Sequence, residues 1–158
     1  MKRARIRGVS LIEVLVAIAI AAILGGLAAP SFIDSLARNR LDGAVSVLAN
    51  DLQYTRSEAI RRRTAATLLV AAGGASYTVA YTPSVGDDVV IKTVPLPDGV
   101  TLAAGAPVVF EALRGTTAAQ TLTGTSTPTG AKLLISTNAL GRISTCSPDG
   151  SLKGHPAC

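Results

Sequence analysis

The hydrophobic pattern changes character twice along the chain. From Val14 to Ile33 there are 20 consecutive residues without a charge, VLVAIAIAAILGGLAAPSFI. At about 1.5 Å per residue, a helix of this length matches the thickness of a bilayer core. A second pattern begins at Leu41, where Leu41, Val45, Leu48, Leu52, Thr55 and Ala59 recur in steps of three and four. They form the single stripe of an amphipathic helix, with Arg38, Asp42, Asp51 and Arg62 read as lying off it. The two patterns predict one long helix from about Ser10 to about Arg62, with Gly25, Gly26 and Pro30 as the place for a kink. After Arg63 the pattern becomes short β-rich runs at 66–71, 77–81, 89–94, 107–110, 132–136 and 141–145, separated by Gly and Pro. Between Thr116 and Thr129, 8 of 14 residues are Ser or Thr, which reads as an exposed edge or a flexible loop. The expected fold is α+β: a long N-terminal helix packed on a C-terminal antiparallel β-sheet head.

Composition narrows the function. At 158 residues the chain holds one domain plus what its ends add, and no internal repeat divides it. With no Trp, two Phe and three Tyr, the core is expected to be built from Ala, Val, Ile and Leu, and little material is left for a base-stacking platform. The net charge of +5 points toward an anionic partner until its distribution is considered. Lys2, Arg3, Arg5 and Arg7 all precede Gly8, and without them 11 basic and 10 acidic side chains remain. From Thr64 onward the balance is five against five.

The basic start followed by the apolar run orients the chain with its amino end in the cytoplasm and its C-terminal part across the membrane. A secretory signal peptide or a plain membrane anchor shares this layout. The run is longer than the usual signal core of about 7 to 15 residues. Glu13 also stands at its start, where a carboxylate in hydrocarbon is costly and needs a reason.

The stretch Arg7-Gly8-Val9-Ser10-Leu11-Ile12-Glu13-Val14-Leu15-Val16-Ala17 resembles the class III signal of type IV pilins and type II secretion pseudopilins. The resemblance joins a basic leader, a glycine, a glutamate five residues after it and a long apolar helix. Val9 and Ser10 stand where Phe and Thr are usual. It implies that a prepilin peptidase cuts between Gly8 and Val9 and that the new amino group of Val9 is methylated. It also implies that Glu13 pairs with the amino terminus of a neighbouring subunit, which would make a buried carboxylate tolerable. A structural alternative puts Glu13 at headgroup depth. Within that group, the SEAIRRR run ending at Arg63 and the late Gly141-Arg142 before Cys146 resemble the FimT/GspH family. The implied layout is a leader at 1–8, a membrane or filament-core helix at 9–33, its amphipathic continuation at 34–63 and a periplasmic head at 64–158. The implied partners are other pilin or pseudopilin subunits, the prepilin peptidase and an inner-membrane assembly platform. The expected location is the bacterial inner membrane, single-pass, and then a pilus or pseudopilus.

Cys146 and Cys158 are the only cysteines, and the topology places both in an oxidising compartment, so a disulfide is expected. The rival, a metal site with the sole histidine His155, has a poor zinc pattern. No phosphate-binding GxxxxGK[ST] motif is present, so the reading calls for a separate ATPase and for no cofactor and no catalytic residue. Arg61, Arg62 and Arg63 form the densest basic run after the leader, placed to oppose the helix dipole. The alternative function is DNA binding for uptake. Some FimT-type minor pilins use a Gly-Arg-x-Arg motif for it, and Gly141-Arg142-Ile143-Ser144 lacks the second arginine. Arg142 and Lys153 would carry that role, with Lys132 and the Arg61–Arg63 run in support. A membrane-anchored adhesin that never assembles is the third reading.

Overall fold

The structure, a computed structural model, describes residues 10–103, 105–150 and 152–158. Gly8 and Val9, the expected processing site, lie outside the described residues. One helix, α1 (Leu11–Arg62), is followed by eight strands: β1 (Ala66–Val70), β2 (Ser76–Tyr81), β3 (Val89–Pro95), β4 (Val100–Leu102), β5 (Val108–Phe110), β6 (Gln120–Ser126), β7 (Lys132–Thr137) and β8 (Ile143–Cys146). The chain divides into two compact units at Ser35/Leu36.

The first unit holds the N-terminal part of α1. Ser10 precedes its first turn, where its carbonyl accepts from Glu13 N at 3.1 Å and Val14 N at 3.2 Å. Leu11, Ile12, Val14, Leu15, Val16, Ile18, Ile20, Ile23 and Leu24 are all exposed, so apolar side chains cover every face of this stretch. A helix that is apolar all round is built for a bilayer or for the middle of a bundle. No single helix among the described residues is long and apolar enough to cross a membrane, whereas Leu11–Gly26 and Ser31–Arg62 meet the requirement together.

The second unit, from Leu36, contains the core. The stripe of Leu41, Val45, Leu48, Leu52, Thr55 and Ala59 is buried at every position. It packs with two four-stranded antiparallel sheets, ordered β3-β2-β1-β5 and β4-β6-β7-β8. In β1, β6 and β7 every second side chain is buried, the period expected of strands with one face on a core. Leu68, Tyr77, Val79, Val108 and Phe110 from the first sheet join Leu102, Leu122, Leu133 and Ile135 from the second in one cluster with the helix. The sheets meet at Gly74, whose carbonyl accepts from Leu102 N at 2.9 Å. Its φ is +69°, and a Cβ there would stand 2.1 Å from the Leu102 carbonyl oxygen, so only glycine fits.

Three expectations are corrected. The Ser/Thr-rich stretch holds β6, an interior strand paired on both sides, because β-branched threonines pack well on a pleated surface. Its Gly124 lies under the helix, where a Cβ would come within 3.0 Å of Val45 Cγ2. Second, β8 begins at Ile143, because Gly141 and Arg142 belong to the turn before it. Third, Asp51 is buried on the packed face of the helix.

Candidate assembly site and the ion pairs behind it

Glu13 falls in the first turn of α1, three residues after Ser10, where a negative charge complements the helix dipole. Its side chain is exposed and makes no hydrogen bond or ion pair among the described residues. Leu11, Val14, Leu15 and Ile18 line a shallow apolar groove along the same turns. Glu13 does not line that groove: at 3.6 residues per turn it projects from the other side of the helix, without an ion-pair partner among the described residues.

Behind the head, two carboxylates on α1 organise the cations. Asp51 Oδ2 accepts from the Tyr77 hydroxyl at 2.6 Å, and Asp51 Oδ1 accepts from Lys92 Nζ. A bulge in β3 pairs Val79 with Lys92 but Ala80 with Val90, so Ile91 is the extra residue. The bulge places Lys92 opposite inward-facing Val79, and an inward charge on an edge strand also discourages pairing with another chain. Burial, and then the hydrogen bond to Asp51, push the Tyr77 hydroxyl far above its ordinary range. Tyr77 is thus a donor at any physiological pH. The missed signal is spacing: Asp51 lies three residues after Leu48 and four before Thr55, on the buried side of the stripe.

Glu58 is the second organiser. Arg61 Nε and Nη2 donate to its two oxygens at 2.9 and 2.7 Å, and Arg62 Nε donates to Oε2 at 2.6 Å. The hydrogen bond from Arg61 and then that from Arg62 outweigh burial and hold the Glu58 carboxyl down at about 2. The Arg62 guanidinium also stacks 4.1 Å from the Tyr81 ring centroid. Arg63 ends the helix with φ +56°: its N–H donates to Ile60 O and that of Thr64 to Ala59 O, a Schellman closure with arginine in glycine's usual place. Two members of the basic run are therefore ion-paired to Glu58, Arg62 half-buried and Arg61 exposed.

Arg142 sits in the turn between β7 and β8. Asn138 Oδ1 accepts from the N–H groups of Leu140 at 3.0 Å and Arg142 at 2.9 Å, and the Arg142 side chain is exposed. Gly141 has a packing role. Its φ is +74°, and a Cβ there would stand 2.3 Å from the Gly115 carbonyl, which itself accepts from Arg56 Nε at 3.1 Å. Lys153 belongs to the loop closed by the Cys146–Cys158 disulfide, after the far end of β8. Four strand residues, roughly 13 Å, lie between Arg142 and the start of that loop. The loop is held by buried Leu152 and by His155, whose Nε2 lies 2.7 Å from Asp42 Oδ1 on the helix. His155 thus straps the tail to α1, and no metal-ligating cluster exists among the described residues.

Comparison with solved structures places this geometry in a class. Two crystal structures of the type IV minor pilin FimU of Pseudomonas aeruginosa match with a TM-score of 0.57 each. One is 24% identical over 68% of this chain and 88% of that chain, the other 20% identical over 71% and 97%. The minor pseudopilin EpsH from the type 2 secretion system of Vibrio cholerae matches with a TM-score of 0.59 at 12% identity, over 69% of this chain and 98% of that chain. The fold is thus the α+β fold of pilin-like subunits. No curated protein matches the sequence. Residues 44–141 match the family model described as type II transport protein GspH, and residues 3–29 match the prokaryotic N-terminal methylation motif. The chain belongs to the GspH family: it is a structural subunit of a pilus or pseudopilus, anchored in the inner membrane with its head in the periplasm. The family match ends at Gly141, so Arg142 and the disulfide loop lie beyond it.

Proposed function

We propose that this chain is a minor subunit processed by a prepilin peptidase between Gly8 and Val9, methylated at Val9, and inserted into a filament from an inner-membrane assembly platform. Residues 9–33 hold it in the membrane and then in the filament core, 34–63 carry the head, and 64–158 are displayed. The new amino group of Val9 and the Glu13 carboxylate of an adjacent subunit form the pair that registers the incoming helix. One observation carries the reading: the helix is apolar on all sides from Leu11 to Leu24 but single-sided from Leu41 to Ala59. The first stretch lacks its cover in the isolated chain, and the open Glu13 carboxylate sits where a cation from a neighbour would neutralise it.

The test is made in cells that carry the assembly machinery. Gly8→Ala is expected to abolish both the loss of residues 1–8, read by intact mass, and recovery of the chain in sheared filaments. Glu13→Gln is expected to be cut normally yet lost from filaments. A Gly8→Ala chain that keeps its function while unprocessed would instead identify a membrane-anchored adhesin. Cross-linking from the head identifies whether the neighbours are secretion pseudopilins or pilus subunits.

A further inference from the structure

Two turns, at 111–115 and 138–141, stand side by side against the last turns of α1. Arg56 Nε donates to Gly115 O at 3.1 Å, Gly115 N donates to Glu111 O at 3.0 Å, and Thr117 N donates to Ala139 O at 3.4 Å. A Cβ on Gly115 would lie 3.0 Å from Ile60 Cδ1, so the helix is in direct contact. Each of these tied turns nevertheless presents a leucine to water: Leu113 is 83% exposed and Leu140 72%, beside Ile60 at 43%. Neither leucine serves the core. Held in fixed turns, they form an apolar surface that costs little ordering when it is covered.

A polar groove of about 350 Å³ adjoins the second of these turns, lined by residues of β6, β7 and β8. Thr121, Ser136 and Ser144 form one row across it, because Ser136 pairs in register with both of the others. Asn138 and Arg142 complete the lining from the turn, and no acidic side chain is part of it. The Ser136 and Ser144 hydroxyls share a hydrogen bond at 2.9 Å. Asn138 Oδ1 is filled by the N–H groups of Leu140 and Arg142, which leaves the Asn138 amide as a donor. The exposed Arg142 guanidinium has no ion pair among the described residues. Glu111 of the neighbouring turn already accepts from the Thr116 hydroxyl at 2.7 Å. The groove is thus supplied with donors and short of an anionic acceptor.

We propose that this corner of the head docks a different pilin-like subunit, whose carboxylate enters the groove to meet Arg142 while apolar side chains beside it cover Leu113 and Leu140. The planar guanidinium presents paired donors that match the two oxygens of a carboxylate. Apolar cover around the pair excludes water and strengthens it. A nucleic-acid backbone would satisfy the guanidinium but leave the leucines in water, and a head with five basic and five acidic residues offers it no broad cationic face. The inference rests on the filament reading above: a minor subunit meets other pilin-like subunits and not a run of its own copies. The patch is smaller than a stable interface in solution requires, so it orients heads that the N-terminal helices already hold together.

The experiment uses the full-length chain in cells that carry the assembly machinery. Arg142→Lys puts a primary amine in the groove, and a water-soluble carbodiimide joins such an amine to a carboxylate in contact with it. Sheared filaments and cell envelopes treated in this way are expected to give an adduct that the parent chain does not give. Mass spectrometry should locate it between residue 142 and an Asp or Glu, flanked by apolar residues, in the head of another pilin-like subunit. Leu113→Ser with Leu140→Ser in that background should lower the adduct about ten-fold or more. Both side chains are exposed, so thermal unfolding of the chain should not change. An adduct that is unmoved by the leucine substitutions, lost after nuclease treatment or formed with a second copy of this chain overturns the proposal. A chain recovered in filaments without the adduct also overturns it and leaves the filament reading standing. The adduct in envelopes, with no chain in filaments, overturns the filament reading alone, and the absence of both overturns both.

Discussion

Gly141→Ala separates two meanings of the Gly141-Arg142 pair, one in which it offers a phosphate contact and one in which its glycine is a packing necessity. The backbone at Gly141 has φ +74°, and forcing an L-residue there costs about 1–2 kcal/mol. The new Cβ would also sit 2.3 Å from the Gly115 carbonyl oxygen and 2.9 Å from Arg56 Nε. Either the turn moves, at the usual overpacking cost of about 1–3 kcal/mol, or Gly115 moves and weakens its hydrogen bond from Arg56. The total comes to about 2–5 kcal/mol. Gly150→Ala is the internal control: its φ is +61°, but nothing lies within 4 Å of its Cβ position, so it should show the backbone part alone. Arg142→Ala, at an exposed side chain, should stay within about 0.5 kcal/mol of the parent. The assay is urea unfolding of residues 36–158, the unit that contains the whole buried core. With a slope of about 1.5 kcal/mol per molar, a 3 kcal/mol loss moves the midpoint by about 2 M. The packing argument is refuted if Gly141→Ala and Gly150→Ala agree within about 0.5 kcal/mol, or if Arg142→Ala is as damaging as Gly141→Ala.

Three other outcomes follow from the same geometry. Arg63→Gly relieves the left-handed arginine that closes α1 and should stabilise the head by about 1 kcal/mol, seen as a rise of a few degrees in Tm. The Glu58 carboxyl is held at about 2 against an ordinary 4.5, so its contribution is complete above pH 4.5 and fades as pH falls toward 2. Accordingly, Glu58→Gln should be less stable than the parent at neutral pH and converge with it over that acid interval in denaturant titrations. In DNA-binding titrations against salt, any residual attraction should show a slope near −0.9 for the one cation of the Gly141-Arg142 turn, and Arg142→Ala should flatten it. A slope of −4 or steeper would show a basic surface that the folded head does not present.

Much of the fold is legible in the residues because the core-facing half of the helix obeys one period strictly: all six positions of the Leu41–Ala59 stripe are buried. The six β-rich runs match strands for a related reason: most of their buried positions are apolar, among them Leu68, Val79, Val108, Leu133 and Ile135 beside the aromatic Tyr77 and Phe110. Two strands are hidden. β4 has only three residues, and β6 reads as Gln-Thr-Leu-Thr-Gly-Thr-Ser, where threonine supplies the β-branching but not the apolar signal, and where the glycine makes room for Val45. The Cys146–Cys158 bond is present as the compartment and cysteine count imply, whereas the anchoring of its loop by His155 on Asp42 joins residues 113 apart in sequence. The Asp51 cluster escapes for a related reason: Asp51 looks like the solvated flank of an amphipathic helix, and only Tyr77 and Lys92, 26 and 41 residues further on, show that it is enclosed. Glu58 differs, since Arg61 and Arg62 stand at helical spacing from it on the same helix.

The division of the chain into two units has an energetic counterpart. The head satisfies itself: its hydrophobic core closes within 36–158, and its buried carboxylates find cations on α1 or β3 of the same chain. The stretch from Leu11 to Leu24 satisfies nothing, since its apolar side chains are exposed and Glu13 has no partner among the described residues. Folding and assembly therefore draw on different residues, and their failures should be separable. Loss of Leu48 or Leu52 removes a core contact and is felt before any neighbour arrives. Loss of Glu13 should leave the head intact and, in the proposed assembly, should be felt only when a second helix is taken up. This separation explains how a membrane-held subunit can wait, fully folded at its head, until a filament supplies the cover its helix lacks.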